Sequence, residues 1–199
     1  MAGGNGNDGA ATDSGHGQSA PSAWVRRFAS LVPPGGEVLD LACGRGRHSR
    51  LFLESGHPVC AVDRDLSGLD GLAGATGLET IVADLEAAPW PLPGRRFACV
   101  VVTNYLWRPL SAAILAALAP GGVLLRETFA EGNEAFGKPR NPDHLLREGE
   151  LLEEAAAGAL CVLAYESGRI ELPWPAVVQR ICAWRPTEAG ALPPWLPEA

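Results

Sequence analysis

Lysine occurs once, at Lys138, so nearly all of the basic charge is arginine. With a net charge of −7 and a pI near 5.1, the chain lacks the clustered cations that phosphate contacts require. A nucleic-acid-binding surface is therefore not expected. Apolar runs are short as well. None approaches the roughly 20 residues that span a bilayer, and the N-terminus has no basic-then-apolar signal pattern. The five cysteines (Cys43, Cys60, Cys99, Cys161, Cys182) include no C-x-x-C pair, and four fall in or at the ends of expected strands. Reduced cysteines behave there as small core residues, which points to a reducing, cytoplasmic setting. The four histidines show no ligand spacing, so no metal site is expected. No internal repeat marks a solenoid.

What is present is one domain's worth of chain: 199 residues, 47% hydrophobic and 20% charged. Residues 1–20 are Gly-, Ala-, Ser- and Asn-rich, too poor in apolar side chains to offset ordering entropy, and read as a disordered tail. The domain is expected over residues 21–186, followed by a proline-rich tail over 187–199. Within it, an amphipathic helix over 23–32 carries Trp24, Phe28 and Leu31 on one face and is stopped by Pro33-Pro34-Gly35-Gly36. Strands are expected over 37–41, 57–62, 80–83, 97–103 and 123–128. Helices alternate with them over 47–55, 66–75 (weak and Gly-interrupted), 110–119 and 148–158. The run Phe97–Thr103 is continuously apolar, as a strand buried on both faces should be. Residues 160–172, bent near Ser167-Gly168, and 176–184 read as a closing β pair. Strand–helix alternation of this kind implies a doubly wound, mostly parallel α/β sheet with helices on both faces.

In such sheets ligands sit beyond the carboxyl ends of the strands. Those ends carry Asp40, Asp63, Asp84 and Thr103-Asn104. After the first strand the chain turns through Ala42-Cys43-Gly44-Arg45-Gly46 into a helix, a geometry that offers backbone N–H groups to a ligand. Gly44-x-Gly46-x-x-Ser49 is a poor dinucleotide fingerprint, because its third position is serine. Asp40 would also oppose a pyrophosphate, whereas it suits a cationic cofactor. Asp63 is placed to accept from ribose hydroxyls, and Asp84 with Leu85 to meet an adenine edge.

Together, Asp40-x-Ala42-x-Gly44-x-Gly46, Asp63, Asp84-Leu85, the strand into Asn104, and Pro120-Gly121-Gly122 resemble the ordered motifs of class I S-adenosylmethionine-dependent methyltransferases. The Ala-Cys-Gly-x-Gly-Arg-His variant and compact size look most like the small tellurite-resistance and thiopurine methyltransferases. The resemblance implies a Rossmann-like seven-stranded sheet with an antiparallel edge strand. It also implies S-adenosylmethionine as cofactor, S-adenosylhomocysteine as product, and in-line methyl transfer to a small-molecule acceptor. The cofactor set is then Asp40, Ala42, Cys43, Gly44, Gly46, Asp63, Arg64, Asp84, Leu85 and Asn104. Ala42 stands where the family's first glycine would be, which is compatible with cofactor approach if its φ is negative.

For the acceptor, the resemblance directs attention to the segment after the fourth strand. Tyr105 and Trp107 could wall an acceptor and Arg108 could hold an anionic one, the alternative being that Arg108 pairs with a nearby acid. A glycine-containing excursion over 129–144 has the make-up of a lid or of an Ω-type surface loop, and brings Phe129, Asn133 and Phe136 into consideration. Trp24 could close the site or serve the core. Tyr105, Arg108 and Glu127 are the catalytic candidates, and His48 reads as a helix-surface or core residue before a base. No Asn/Asp-Pro-Pro-Tyr amine-modifying motif follows the fourth strand. A monomer or weak homodimer is expected. The alternative function is a non-catalytic cofactor-binding or partner-binding module on the same fold.

Overall fold

The computed structural model describes residues 20–188 and 191; the two expected tails lie almost wholly outside the described residues. Seven strands form one sheet in the order β3-β2-β1-β4-β5-β7-β6. They are β1 (Val38–Leu41), β2 (Val59–Asp63), β3 (Leu78–Val82), β4 (Phe97–Thr103), β5 (Leu118–Phe129), β6 (Cys161–Ile170) and β7 (Ala176–Trp184). β1 to β5 run parallel, and β7 is antiparallel to both β5 and the edge strand β6. Four α-helices accompany them: α1 (Ala23–Phe28), α2 (Arg47–Glu54), α3 (Ser111–Ala116) and α4 (Glu150–Ala157). This is the Rossmann-like methyltransferase architecture expected, with its closing antiparallel pair.

Period-two alternation divides the strands between two cores. Leu39 and Leu41, Val100 and Val102, and Leu124 face Ile114 of α3 and Leu151 and Ala155 of α4. Val38, Cys99 and Val101, Val123 and Leu125 face Trp24, Val25 and Phe28 of α1 and Phe52 of α2. The central strands are buried on both sides and hence carry no polar alternation.

Several boundaries differ from the sequence expectation. The weak helix over 66–75 is a 3₁₀ segment, Ser67–Leu72, consistent with its two interior glycines. Helix α3 stops at Ala116, and β5 begins at Leu118, before Pro120-Gly121-Gly122. The Pro-Gly-Gly step is absorbed as a register shift against Phe97–Cys99. β6 is continuous through Ser167-Gly168, with its irregularity at Val162/Ala164 instead. The excursion after β5 is tied down by a bridge between Ala130 and Leu146 and by two 3₁₀ turns, Asn133–Ala135 and Pro142–His144.

Candidate active site

Strand order reverses between β1 and β4, and a cavity of about 440 Å³ opens at the carboxyl ends there. Its volume is within the roughly 300–1,000 Å³ usual for small-molecule sites. Four consecutive strand ends supply the wall: Ala42 to Arg45 with Arg47 after β1, Asp63-Arg64 from β2, Ala83 to Glu86 after β3, and Thr103 to Tyr105 from β4.

The turn after β1 is shaped by left-handed backbone at Ala42 (φ 54°), Gly44 (φ 55°) and Gly46 (φ 69°). The negative φ required of Ala42 is not found. An L-residue in this region costs about 1 kcal/mol relative to glycine. Ala42→Gly is therefore expected to raise stability by about 1 kcal/mol, read as an upward shift in Tm. At Gly46 a Cβ would lie 2.3 Å from Leu69 Cδ2, so a side chain there would both strain the left-handed backbone and displace Leu69 of the 3₁₀ segment.

Asp40 does not line the cavity. It is 2% exposed, and one carboxylate oxygen accepts from both the Ser49 N–H (2.9 Å) and the Ser49 hydroxyl (2.6 Å). It thus caps the N-terminus of α2 from the end of β1, a cap Gly46 cannot provide. Burial pushes its pKa up to about 6, against the lowering effect of the Ser49 bonds and Arg47. The direct cation contact expected of Asp40 is replaced by support of the turn.

Asp63 does face the cavity. Oδ2 accepts from Gly44 N–H at 2.8 Å and Oδ1 from Asp65 N–H at 3.1 Å, so the carboxylate is anchored while its remaining lone pairs stay available. Asp84 Oδ1 accepts from the Glu86 and Ala87 N–H groups in a turn that presents buried Leu85 to the cavity. Asn104 adopts φ 54°, a conformation asparagine tolerates better than most residues, and its N–H is held by the Glu127 carbonyl at 2.8 Å. The Cys43 thiol is buried, and desolvation with Asp40 and Asp63 nearby pushes its pKa up; it is inert packing, not an activated thiol.

Of the acceptor candidates, Tyr105 alone reaches the cavity. Its hydroxyl is buried without a partner among the described residues, and desolvation raises its pKa. Trp107 packs against the core. Arg108 is fully engaged: Nε and Nη2 bond Glu150 (2.6 and 2.9 Å), and Nη1 and Nη2 donate to the carbonyls of Asp143 and Leu145 (2.7 and 2.8 Å). Arg108 is a clamp on the segment before α4 rather than a substrate ligand. Arg108→Ala is expected to cost about 1–2 kcal/mol and to speed proteolysis around residues 137–147.

Asn133 is likewise structural. It is 2% exposed, accepting from Val177 N–H at 3.2 Å and donating to the Pro139 carbonyl at 3.4 Å. Phe136 lies on the surface under the Arg169 guanidinium, and Phe129 pairs with Val178 in the sheet. Neither touches the cavity. Glu127, on the α1/α2 face, accepts from the Ser22 hydroxyl at 2.8 Å and lies 3.8 Å from Arg180. Trp24 is a core residue, 3% exposed, with Arg180 over its ring. His48 is buried on α2; Nε2 accepts from Ser22 N–H at 3.2 Å, and burial pushes its pKa down to about 3. It is a neutral core histidine.

Thr103, expected at the fourth strand's end, lines the cavity, as do Arg45, Arg47 and Glu86, to which the sequence assigned no role. The two arginines belong to the glycine turn itself. The signal available was position: Arg47 is the first residue of α2, whose N-terminus abuts the cavity.

Residues 38–122 match the family model described as a methyltransferase domain, and the strand order with its closing antiparallel pair is the Rossmann-like methyltransferase fold. Among solved structures, TehB from Haemophilus influenzae is similar, with TM-score 0.70 and 20% identity, over 87% of this chain and 65% of TehB. This chain thus spans slightly less than two thirds of that relative. A TehB-like S-adenosylmethionine-dependent methyltransferase from Corynebacterium glutamicum matches with TM-score 0.59 and 20% identity, over 81% of this chain and 86% of that one. The 1,6-didemethyltoxoflavin-N1-methyltransferase of Burkholderia thailandensis, solved with S-adenosylhomocysteine and its acceptor, matches with TM-score 0.60 and 23% identity, over 81% and 76%. No curated protein matches by sequence.

Proposed function

We propose that this protein binds S-adenosylmethionine in the strand-end cavity and transfers its methyl group to a small-molecule acceptor that is already nucleophilic at neutral pH. The observation that carries the reading is the convergence of Gly44 N–H, Asp63, Asp84-Leu85 and Asn104 from four strand ends on one cavity. Bound there, the cofactor would supply an electrophilic methyl group on a sulfonium. Asp63 would accept from the ribose hydroxyls through its free lone pairs, Leu85 would cover the adenine, and Asn104 would orient the amino-acid end. Displacement at a methyl carbon is accelerated chiefly by alignment and exclusion of water, worth up to roughly 7–11 kcal/mol in well-oriented systems.

The nature of the acceptor follows from what the cavity wall holds. Among the described residues no histidine lines it, Tyr105 is kept protonated, and the Cys43 thiol is suppressed. His48 and Glu127 are committed elsewhere. Apart from the carboxylates that line it, Glu86 among them, the wall offers no base, so an acceptor needing deprotonation in the transition state is less well served. A soft, ionised or lone-pair nucleophile is well served. The three guanidiniums around the cavity (Arg45, Arg47, Arg64) are balanced by three carboxylates (Asp63, Asp84, Glu86), so the wall's charge selects no sign of acceptor. Five unpaired cysteines accord with a reducing, cytoplasmic setting for such chemistry.

The test is calorimetric titration with S-adenosylhomocysteine, then an S-adenosylhomocysteine-release assay over thiols, soft oxyanions, amines and alcohols. Micromolar binding with turnover on the first two classes is expected. Absence of binding overturns the reading. Binding without turnover on any acceptor favours the non-catalytic module instead.

A further inference from the structure

A second depression of about 600 Å³ lies between α3 and α4, on the sheet face opposite α1 and α2, and shares no lining residue with the cofactor cavity. Leu106, Leu115 and Leu146 give it apolar walls. At its base is an ion pair that the functional reading leaves unused. Arg126 of β5, its side chain 1% exposed, donates through Nη1 to Glu154 of α4, whose side chain is 9% exposed. Arg126 Nε and Nη2 and Glu154 Oε1 are buried with no protein partner among the described residues.

Buried polar atoms are satisfied in nearly all native proteins, so three orphans at the base of one groove call for an occupant. Their chemistry describes it. Nε–H and Nη2–H form the side-on fork of a guanidinium, two parallel donors matched by a carbonyl or carboxylate oxygen. Glu154 Oε1 needs a donor, which a carboxylate lacks. Charge points the same way. The lining carries three carboxylates (Glu150, Glu153, Glu154) and two guanidiniums (Arg126, Arg185), so a further anion would meet a net negative surround. A carbonyl beside an N–H meets both demands without adding charge.

We propose that this groove is a second small-molecule site, taking a neutral amide, lactam or imide edge against Arg126 and Glu154 with an apolar body over the leucines. It is independent of the cofactor assignment. Benzamide and benzoate are the probes, titrated against the full chain by saturation-transfer NMR. Benzamide is expected to bind saturably in the millimolar range, benzoate at least 10-fold more weakly, and S-adenosylhomocysteine should not displace either. Two variants are expected to weaken benzamide at least 10-fold. Arg126→Leu/Glu154→Leu replaces the whole pair with apolar residues, a change buried ion pairs often tolerate. Ala112→Trp fills the groove from the exposed surface of α3 without touching the pair, and decides the matter if the double variant does not fold. Non-saturable benzamide binding, equal binding by Ala112→Trp, benzoate binding as tight as benzamide, or displacement by S-adenosylhomocysteine each overturns the proposal.

Discussion

Replacing Asp63 with alanine is expected to weaken S-adenosylhomocysteine binding by roughly 100-fold or more. Each hydrogen bond from a neutral hydroxyl to a charged carboxylate contributes about 1.5–3 kcal/mol, and two such bonds to vicinal hydroxyls give a factor of 10² to 10⁴. The same substitution frees Gly44 N–H, now 2.8 Å from Oδ2, and so loosens the turn that faces the ligand. Asp63→Asn should fall between, since its amide oxygen can still accept from Gly44. Calorimetry on the three proteins checks the order. An Asp63→Ala affinity within threefold of wild type would remove the cofactor assignment, because no other cavity carboxylate is anchored to the glycine turn.

The second large effect concerns pH and comes from two groups near the start of α2. His48, held neutral by burial, has its pKa pushed from 6.5 down to about 3. The folded state therefore binds fewer protons than the unfolded chain between these values. Stability from this group is complete above pH 6.5 and is lost as pH falls, by up to about 5 kcal/mol. Asp40 acts in the opposite sense. Its pKa is pushed from 3.8 up to about 6, so the folded state holds its proton more tightly. Stability from this group is complete below pH 4 and is lost as pH rises through 6, by up to about 3 kcal/mol.

Between pH 6 and 4 the two slopes, each about 1.4 kcal/mol per pH unit, nearly cancel. Single variants should expose them. His48→Gln is expected to gain stability relative to wild type as pH falls from 6.5 towards 3. Asp40→Asn should be more stable than wild type at pH 8 by up to about 3 kcal/mol, with the advantage vanishing below pH 4. Urea unfolding of each variant against wild type at pH 4, 6 and 8 reads the difference directly. Parallel curves at all three values would show that neither group titrates as its burial dictates.

The wall of the cavity was more legible in the sequence than the places of the acceptor candidates, and the reason is locality. Asp63, Asp84-Leu85 and Asn104 follow short apolar runs, and a parallel sheet collects such strand ends on one edge whatever else the chain does. Gly44 and Ala42 are adjacent to one of those ends. All of these line the cavity. Asp40 read equally well as a cavity residue, but strand alternation turns it towards α2 with Val38, and Ser49 meets it there. The acceptor candidates were chosen by residue type after a strand, with no periodicity to aim them. Arg108 went to Glu150, 42 positions away, and Asn133 to Val177, 44 away. Partners at such separations are invisible to spacing.

The sequence by itself determined the sheet's five parallel strands, the antiparallel pair that closes it, and the strand ends that make the cavity, because hydrophobic period and turn residues act locally. It also placed the glycine turn that shapes the ligand-facing backbone. Only the tertiary structure decided which polar side chains face that cavity and which are consumed as caps and clamps. Burial and long-range hydrogen bonding settle that choice, and they withdrew Arg108, Glu127 and His48 from the chemistry while leaving Arg126 and Glu154 with unmet bonds on the other face.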